Sequence, residues 1–107
     1  MNNDLNREYT LEKSIYDNVK KGNVLLVEEN ICNFIDIRLS RHNSLCLEEN
    51  RVYVILERII SIMYSNKIES PNRKIFRDIE QSNSVTEIFS IMHFYVIFAT
   101  IKIHNRL

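Results

Sequence analysis

The segment of residues 85–107 constrains the fold most strongly. It reads VTEIFSIMHFYVIFATIKIHNRL and carries apolar side chains on almost every face of a helix. In water such a helix must be covered on all sides, by its own domain or by a partner. The segment therefore indicates more about packing and assembly than about chemistry.

Residues that interrupt helices are scarce, because Gly22 and Pro71 are the only glycine and the only proline. An all-β domain needs many turns, so this composition favours a few long helices. We predict an all-α fold of about five helices in a small antiparallel bundle. One domain over residues 1–107 is expected, with residues 1–8 disordered. At this length roughly 65% of the unfolded surface is buried on folding, which suffices for a core without disulfides or metal.

The first two helices are predicted to form a hairpin. Apolar periodicity places the first helix from about Tyr9 to Lys21, and Gly22 can adopt the left-handed conformation that ends a helix. Asn23 can cap a second helix that reaches about Ser40. Because the connection is so short, the two helices should run antiparallel.

Three further helices follow from periodicity and capping signals. A long third helix is predicted over residues 45–66, with its ends near these positions. Ser70 and Pro71 form a start signal for a short fourth helix. Ser84 and Glu87 have capping-box spacing at the start of the apolar fifth helix.

The charge balance argues against a nucleic-acid-binding domain. Lysine and arginine number 14 together, as do aspartate and glutamate, so the formal net charge is zero. No overall basic field is available to hold nucleic acid, and a neutral chain associates with itself more readily than a charged one. The best basic patch is Arg73, Lys74 and Arg77 on the fourth helix. It could touch phosphate or an acidic partner, but a charged outer face of a helix is the favoured interpretation.

No catalytic motif is found, so we predict a protein that is not an enzyme and holds no cofactor. Glu28 with Glu29, and Glu48 with Glu49, are adjacent pairs whose side chains point about 100° apart on a helix. Such pairs do not converge on one reacting atom, and solvated helix faces explain them. With a single glycine, the usual phosphate-binding loops are excluded.

The cysteines and histidines do not form a recognisable metal motif. Cys32, His42 and Cys46 could be drawn as three zinc ligands, but the paired close spacing of zinc motifs is missing, so no metal site is predicted. His93 is expected to be a core histidine bonded to one partner. No signal segment is recognised, which favours a cytoplasmic chain with reduced thiols. The strongly apolar stretch 88–103 is short of the ~20 residues of a membrane span. Residues 85–103 could reach that length, but a membrane helix is the less favoured interpretation.

One segment carries a resemblance to a known family. EKSIYDNVKKGNVLLV, residues 12–27, resembles a helix pair common in AraC-family bacterial transcription regulators, just upstream of their DNA-binding domain. The matching residues are Glu12, Ile15, Val19, Gly22, Asn23, Val27 and Ile31.

Two later stretches extend this resemblance. Asn50 and Arg51, followed by an apolar helix, look like the L-R-N-x-x-Y helix of that family. Residues 79–88 resemble its I-E-x-x-x-S-I-E-E-L stretch, and Met92 and Tyr95 lie in the helix that follows. The resemblance implies a helical module of dimerisation and signal transmission. The helix-turn-helix motifs would come after this region, so no DNA-contacting residue is carried over and no direct DNA binding is expected.

The aromatic residues of the fifth helix are the predicted interaction residues. They point in different directions around the helix, so part of this aromatic surface is expected to meet a second copy or a protein regulator. The set is Phe89, Phe94, Tyr95 and Phe98.

Two other classes of function remain open on the sequence. One is a bundle resembling bacteriocin-immunity proteins, which are similar in length and helical. The other is a small-molecule binder with a pocket between helices around Tyr64, His93 and Tyr95.

Overall fold

The computed structural model describes residues 3–70 and 72–107, and its regular elements are five α-helices. The helices are α1 (Asn3–Lys20), α2 (Val24–Leu39), α3 (Leu45–Ser65), α4 (Asn72–Glu80) and α5 (Val85–His104). No strand occurs within the described residues. The predicted all-α fold with an apolar C-terminal helix is confirmed.

The connection between α1 and α2 has the predicted chemistry. Gly22 adopts a φ of 66°, and the side-chain oxygen of Asn23 accepts a hydrogen bond from the backbone N–H of Leu26 at 3.2 Å. Gly22 also lies against the end of α5, where a Cβ atom would come within 2.7 Å of the Cα atom of His104. Both the left-handed backbone and this close approach require glycine.

The prediction of disorder over residues 1–8 is wrong for residues 3–8, which form the first turns of α1. The physical reason is a long-range ion pair. Glu8 is only 6% exposed and lies against the guanidinium groups of Arg38 and Arg41 from the end of α2. Residues 1 and 2 lie outside the described part of the chain.

The starts of α3 and α5 are capped by serine. The hydroxyl of Ser44 accepts from the backbone N–H of Leu47 at 3.2 Å, and the hydroxyl of Ser84 accepts from that of Glu87 at 3.1 Å. The reciprocal bond of the capping box is shifted by one residue, because the Glu87 carboxylate accepts from the backbone N–H of Asn83 at 2.7 Å.

The start of α4 differs from the prediction. The hydroxyl of Ser70 is hydrogen-bonded to the hydroxyl of Tyr95, so this serine ties the loop to α5. Pro71 lies outside the described residues. The helix begins at Asn72.

Helix α5 is the centre of the bundle and packs against every other helix. It contributes eight buried residues: Ile88, Phe89, Met92, Tyr95, Val96, Ala99, Thr100 and Ile103. The molecule is only 18 Å thick along its shortest axis, which corresponds to two layers of helices. In so thin a bundle, a central helix can be covered on most of its circumference and still keep one side open to solvent.

Candidate functional site

The open side of α5 is an apolar surface that the bundle leaves uncovered. The Phe94 side chain is 75% exposed and that of Ile101 is 43% exposed. They are seven positions apart along the chain, so they lie two turns apart on the same side of the helix. Ile91, Ile97 and Phe98 flank this line and are partly buried against the core. We call these five residues the α5 face.

A groove runs along this face where α4 lies against α5. It has a volume of about 370 Å³. Its lining consists of Lys74, Ile75, Asp78, Ser90, Ile91, Phe94, Tyr95 and Phe98. The ammonium group of Lys74 and the carboxylate of Asp78 form an exposed ion pair at 3.2 Å on the α4 side. The groove is therefore apolar inside and carries one charge of each sign at its edge.

Two of the four predicted interaction residues are buried in the core. Phe89 and Tyr95 are each 1% exposed, so neither projects from the surface as Phe94 does, and Tyr95 contributes only to the wall of the groove. The Tyr95 hydroxyl lies 3.4 Å from the sulfur of Met63 and also bonds Ser70, and burial raises the pKa of this phenol. Helix α3 and the loop before α4 cover this side of α5.

The predicted basic patch lies beside the groove. Arg73, Lys74 and Arg77 are all exposed on the outer side of α4. The inner side of α4 packs on α3, where the ring of Phe76 meets that of Tyr53 edge-on with 5.5 Å between centroids. The three cations therefore border the α5 face without being part of its apolar surface.

A second polar feature, which the sequence analysis did not identify, joins α1, α2 and α3. The guanidinium of Arg38 donates to the Glu48 carboxylate at 2.9 Å and to that of Glu8 at 3.3 Å. Arg41 pairs with Glu8 at 2.6 Å, and Arg51 pairs with Glu8 and Glu12. These residues form what we call the ionic cluster: Glu8, Glu12, Arg38, Arg41, Glu48 and Arg51.

Glu48 shows how strongly this cluster departs from expectation. Its side chain is fully buried, so the interpretation of Glu48 as part of a solvated helix face is wrong. A carboxylate is tolerated at such a position because Arg38 neutralises it and Asn43 donates to its second oxygen at 3.2 Å. The cluster holds three arginines against three glutamates. Its three arginines, but none of its glutamates, line an open cleft of about 670 Å³ beside it.

A third feature brings α2 and α5 together through polar side chains. The Nε2 atom of His93 lies 2.7 Å from one carboxylate oxygen of Glu28, and the thiol of Cys32 lies 3.5 Å from the other. The imidazole is 30% exposed, so His93 is not the core histidine that we predicted. The pKa of Glu28 is lowered, chiefly by its hydrogen bond to His93.

This cluster differs from the set of Cys32, His42 and Cys46, for which the sequence predicted no zinc site. Cys32 is grouped with Glu28 and His93, whose ligand atoms all lie within 4.8 Å of one another, and not with His42 or Cys46. His42 sits in the turn after α2 with a φ of 53°, and Cys46 is exposed. The histidine and the carboxylate that approach Cys32 could not be paired from spacing alone.

The predicted ligand pocket around Tyr64, His93 and Tyr95 does not form. His93 faces α2 through its bond to Glu28, whereas Tyr95 faces α3 and the loop at Ser70. The two residues point about 160° apart on α5. Tyr64 is 56% exposed and accepts a hydrogen bond from Asn72.

Helix α5 also meets the length and composition of a membrane-crossing helix, and it is the one helix of the described residues that does. Within the most apolar window, 44% is buried inside the bundle. The core helix of a globular protein passes the same test, so this property does not by itself place the chain in a membrane.

Comparisons with protein-family models, with curated proteins and with solved structures gave no match for this chain. The resemblance to the helical region of AraC-family regulators therefore stays a prediction that rests on the motifs described above.

Proposed function

We propose that this chain is a small non-enzymatic helical module of the cytoplasm that acts by self-association through the α5 face. The observation that carries the proposal is the 75% exposure of Phe94 beside an apolar groove. A phenylalanine in water at the centre of an apolar surface is typical of an interface between proteins.

The α5 face is suited to pairing with a copy of itself. A two-fold symmetric interface uses the same patch on both subunits, so each patch must carry both a projection and a recess. Phe94 is the projection, and the groove lined by Ile75 and Phe98 is the recess. The groove volume of about 370 Å³ is in the range of pockets that hold drug-sized molecules, so one phenyl ring can enter it.

The charges at the edge of the groove support the same arrangement. Lys74 and Asp78 lie one turn apart on α4. When two copies of α4 approach in antiparallel orientation, Lys74 of each copy faces Asp78 of the other. The zero net charge of the chain adds no long-range repulsion between copies.

A role in regulation is supported by the sequence resemblance. In AraC-like regulators the corresponding helical region is of a kind involved in dimerisation and signal transmission. A module that associates through one face of its central helix fits that role, because a change in subunit contact alters the packing of the same helix in the core.

The test is sedimentation velocity of three forms of the chain. The unmodified chain is expected to be a dimer, and Phe94→Asp a folded monomer, because a carboxylate at the centre of an apolar contact is desolvated without a partner. The matched control is Leu25→Asp, since Leu25 is 82% exposed at the start of α2, away from the α5 face. This variant should remain a dimer.

Circular dichroism of all three forms checks that they are folded. An unmodified chain that sediments as a monomer at tens to hundreds of micromolar contradicts the proposal. Two variants that both stay dimeric contradict the choice of face. If the chain is a monomer and a transcription regulator binds it through Phe94, the partner of the α5 face is that regulator and not a second copy.

A further inference from the structure

We infer that Glu28, Cys32 and His93 form a binding site for a divalent transition metal, best suited to Zn²⁺. No metal site was predicted from the sequence, and the proposed function does not require one. The inference rests on three side chains of different chemistry that two helices bring to one point.

The geometry places three ligand atoms at a common position. Glu28 and Cys32 are one turn apart on α2, and His93 reaches them from α5. Their carboxylate, thiol and imidazole atoms lie within 4.8 Å of one another. The ligand atoms of a tetrahedral zinc ion are ~2.0–2.3 Å from the metal, so small rotamer changes convert this cluster into a coordination shell.

The ligand set favours zinc over other common ions. Oxygen-rich sites select calcium or magnesium, whereas a thiolate with an imidazole and a carboxylate suits Zn²⁺. Zinc sites with three protein ligands keep a fourth position for water, and this position is accessible here because the imidazole is 30% exposed. Asp36, one turn after Cys32 on α2, lines the same small cleft and adds negative charge close to the thiol.

A catalytic cysteine fits this arrangement poorly. In a nucleophilic pair the imidazole contacts the thiol and lowers its pKa. Here the carboxylate of Glu28 lies between them, and burial and Glu28 raise the pKa of the Cys32 thiol. The negative charge of the Glu28 carboxylate disfavours a free thiolate at Cys32. A bound cation would be stabilised by the carboxylate and the thiolate together.

Binding is balanced by the release of one proton. The thiol of Cys32 loses its proton to solvent as the metal–sulfur bond forms. The Nε2 proton that His93 donates to Glu28 moves by exchange with solvent to Nδ1, so the neutral imidazole can offer its Nε2 lone pair to the metal. The Glu28 carboxylate, released from that hydrogen bond, coordinates through oxygen. The ion then links α2 directly to α5.

The test is a titration of the untagged, fully reduced chain with Co²⁺, followed by displacement with Zn²⁺. We expect one equivalent of Co²⁺ to produce a thiolate-to-cobalt charge-transfer absorption, which Zn²⁺ then removes. Cys32→Ser should abolish this absorption. His93→Gln should weaken binding by about tenfold or more, on the scale of losing even an outer-shell contact.

Matched controls come from the same chain. Cys46→Ser and His104→Gln alter an exposed cysteine and an exposed histidine outside the cluster, and both should bind the metal as the unmodified chain does. Zn²⁺ should raise the melting temperature of the unmodified chain and of Cys46→Ser, but not that of Cys32→Ser.

The absence of a charge-transfer absorption in the unmodified chain would overturn the inference, as would its persistence in Cys32→Ser. Phe94→Asp separates the metal site from the proposed association. This variant should bind the metal as a monomer, so a failure of self-association and a failure of metal binding are read out independently.

Discussion

The ionic cluster and the α5 face both depart from the usual rule that charged side chains are exposed and apolar side chains are buried. At the ionic cluster, charged residues such as Arg38 and Glu48 are buried, and their partners come from three helices. At the α5 face, an aromatic side chain stands 75% exposed on the most apolar helix of the chain. In these two regions, whether a side chain is buried is decided by which neighbouring element covers its position.

The two regions also differ in how they stabilise the molecule. The ionic cluster connects α1, α2 and α3 through bonds that are satisfied within one protomer. The α5 face contributes apolar area that the protomer does not bury. Changes in the cluster should therefore lower the free energy of unfolding, whereas changes on the face should alter association.

The largest effect is expected for Glu48→Ala. This variant leaves the buried guanidinium of Arg38 without its closest partner, which costs about 3–5 kcal/mol of unfolding free energy. Urea unfolding at a fixed protein concentration measures it. Glu57→Ala, an exposed position on the same helix, is the control and should change the free energy by less than about 0.5 kcal/mol. Equal effects of the two variants would show that the cluster does not hold the helices together.

A pH-dependent effect of up to about 3 kcal/mol is expected at Tyr16, at the border of the ionic cluster. Burial raises the pKa of this phenol from 10.0 to about 12, and its hydroxyl donates to Glu12 at 2.7 Å. A raised pKa in the folded state means that the stabilisation is complete below pH 10 and is lost as the pH rises to about 12. Each pKa unit of difference between the folded and unfolded states corresponds to about 1.4 kcal/mol of unfolding free energy.

Urea unfolding across this alkaline range tests the assignment. Tyr16→Phe keeps the ring but has no proton to lose, so its stability should fall less steeply between the two pH values. Identical slopes for the variant and the unmodified chain would contradict a perturbed Tyr16.

A loss of about 2 kcal/mol is expected for Gly22→Ala. The substitution places a Cβ atom against the backbone of His104 and forces an L-residue into a left-handed conformation. The contact between the α1–α2 connection and the end of α5 should loosen. Lys21→Ala, at the exposed neighbouring position, should have little effect in the same thermal or urea measurement. A tolerated Gly22→Ala would mean that this contact is not tight in solution.

A smaller effect is expected from the charges at the groove. Lys74→Asp alone and Asp78→Lys alone each place like charges across the proposed interface. Each should weaken the dimer by about 1 kcal/mol, roughly fivefold in dissociation constant. The double exchange restores opposite charges and should recover the affinity, which sedimentation equilibrium can measure. A double variant as weak as the single ones would contradict the antiparallel pairing of α4.

Helix positions were largely predictable because their signals are local. Gly22, Asn23 and Ser84 act on backbone groups within a few residues, and each has the predicted role in ending or starting a helix. Apolar periodicity likewise placed the third helix over residues 45–66, and α3 spans Leu45–Ser65. Signals of this kind need no knowledge of the rest of the fold.

The ionic cluster was missed because its partners are far apart in sequence, although a signal existed. Arg38 lies one turn after Phe34 on the buried stripe of α2, and Glu48 lies one turn before Val52 on that of α3. A charged residue at a position of the buried apolar stripe indicates a buried ion pair when a second helix carries an opposite charge at such a position. Which charges pair depends on how the helices pack, and no local pattern contains that information.

The sequence could not separate the buried from the exposed aromatic residues of α5, for a related reason. A helix that is apolar on all faces has no polar side to mark its orientation. Whether Phe89 or Phe94 is exposed depends on where α4 and α2 lie. The short α4 leaves Phe94 open, and the core covers Phe89.

The central claim is that Phe94 enters the groove of a second copy, and a photo-crosslink at this position tests it most directly. Phe94 is replaced by the photoreactive p-benzoylphenylalanine in a mixture of isotopically light and heavy chains. The account predicts a covalent product that joins a light and a heavy chain, attached within residues 74–98. Only unlinked chains after irradiation, or attachment confined to α2, would contradict it.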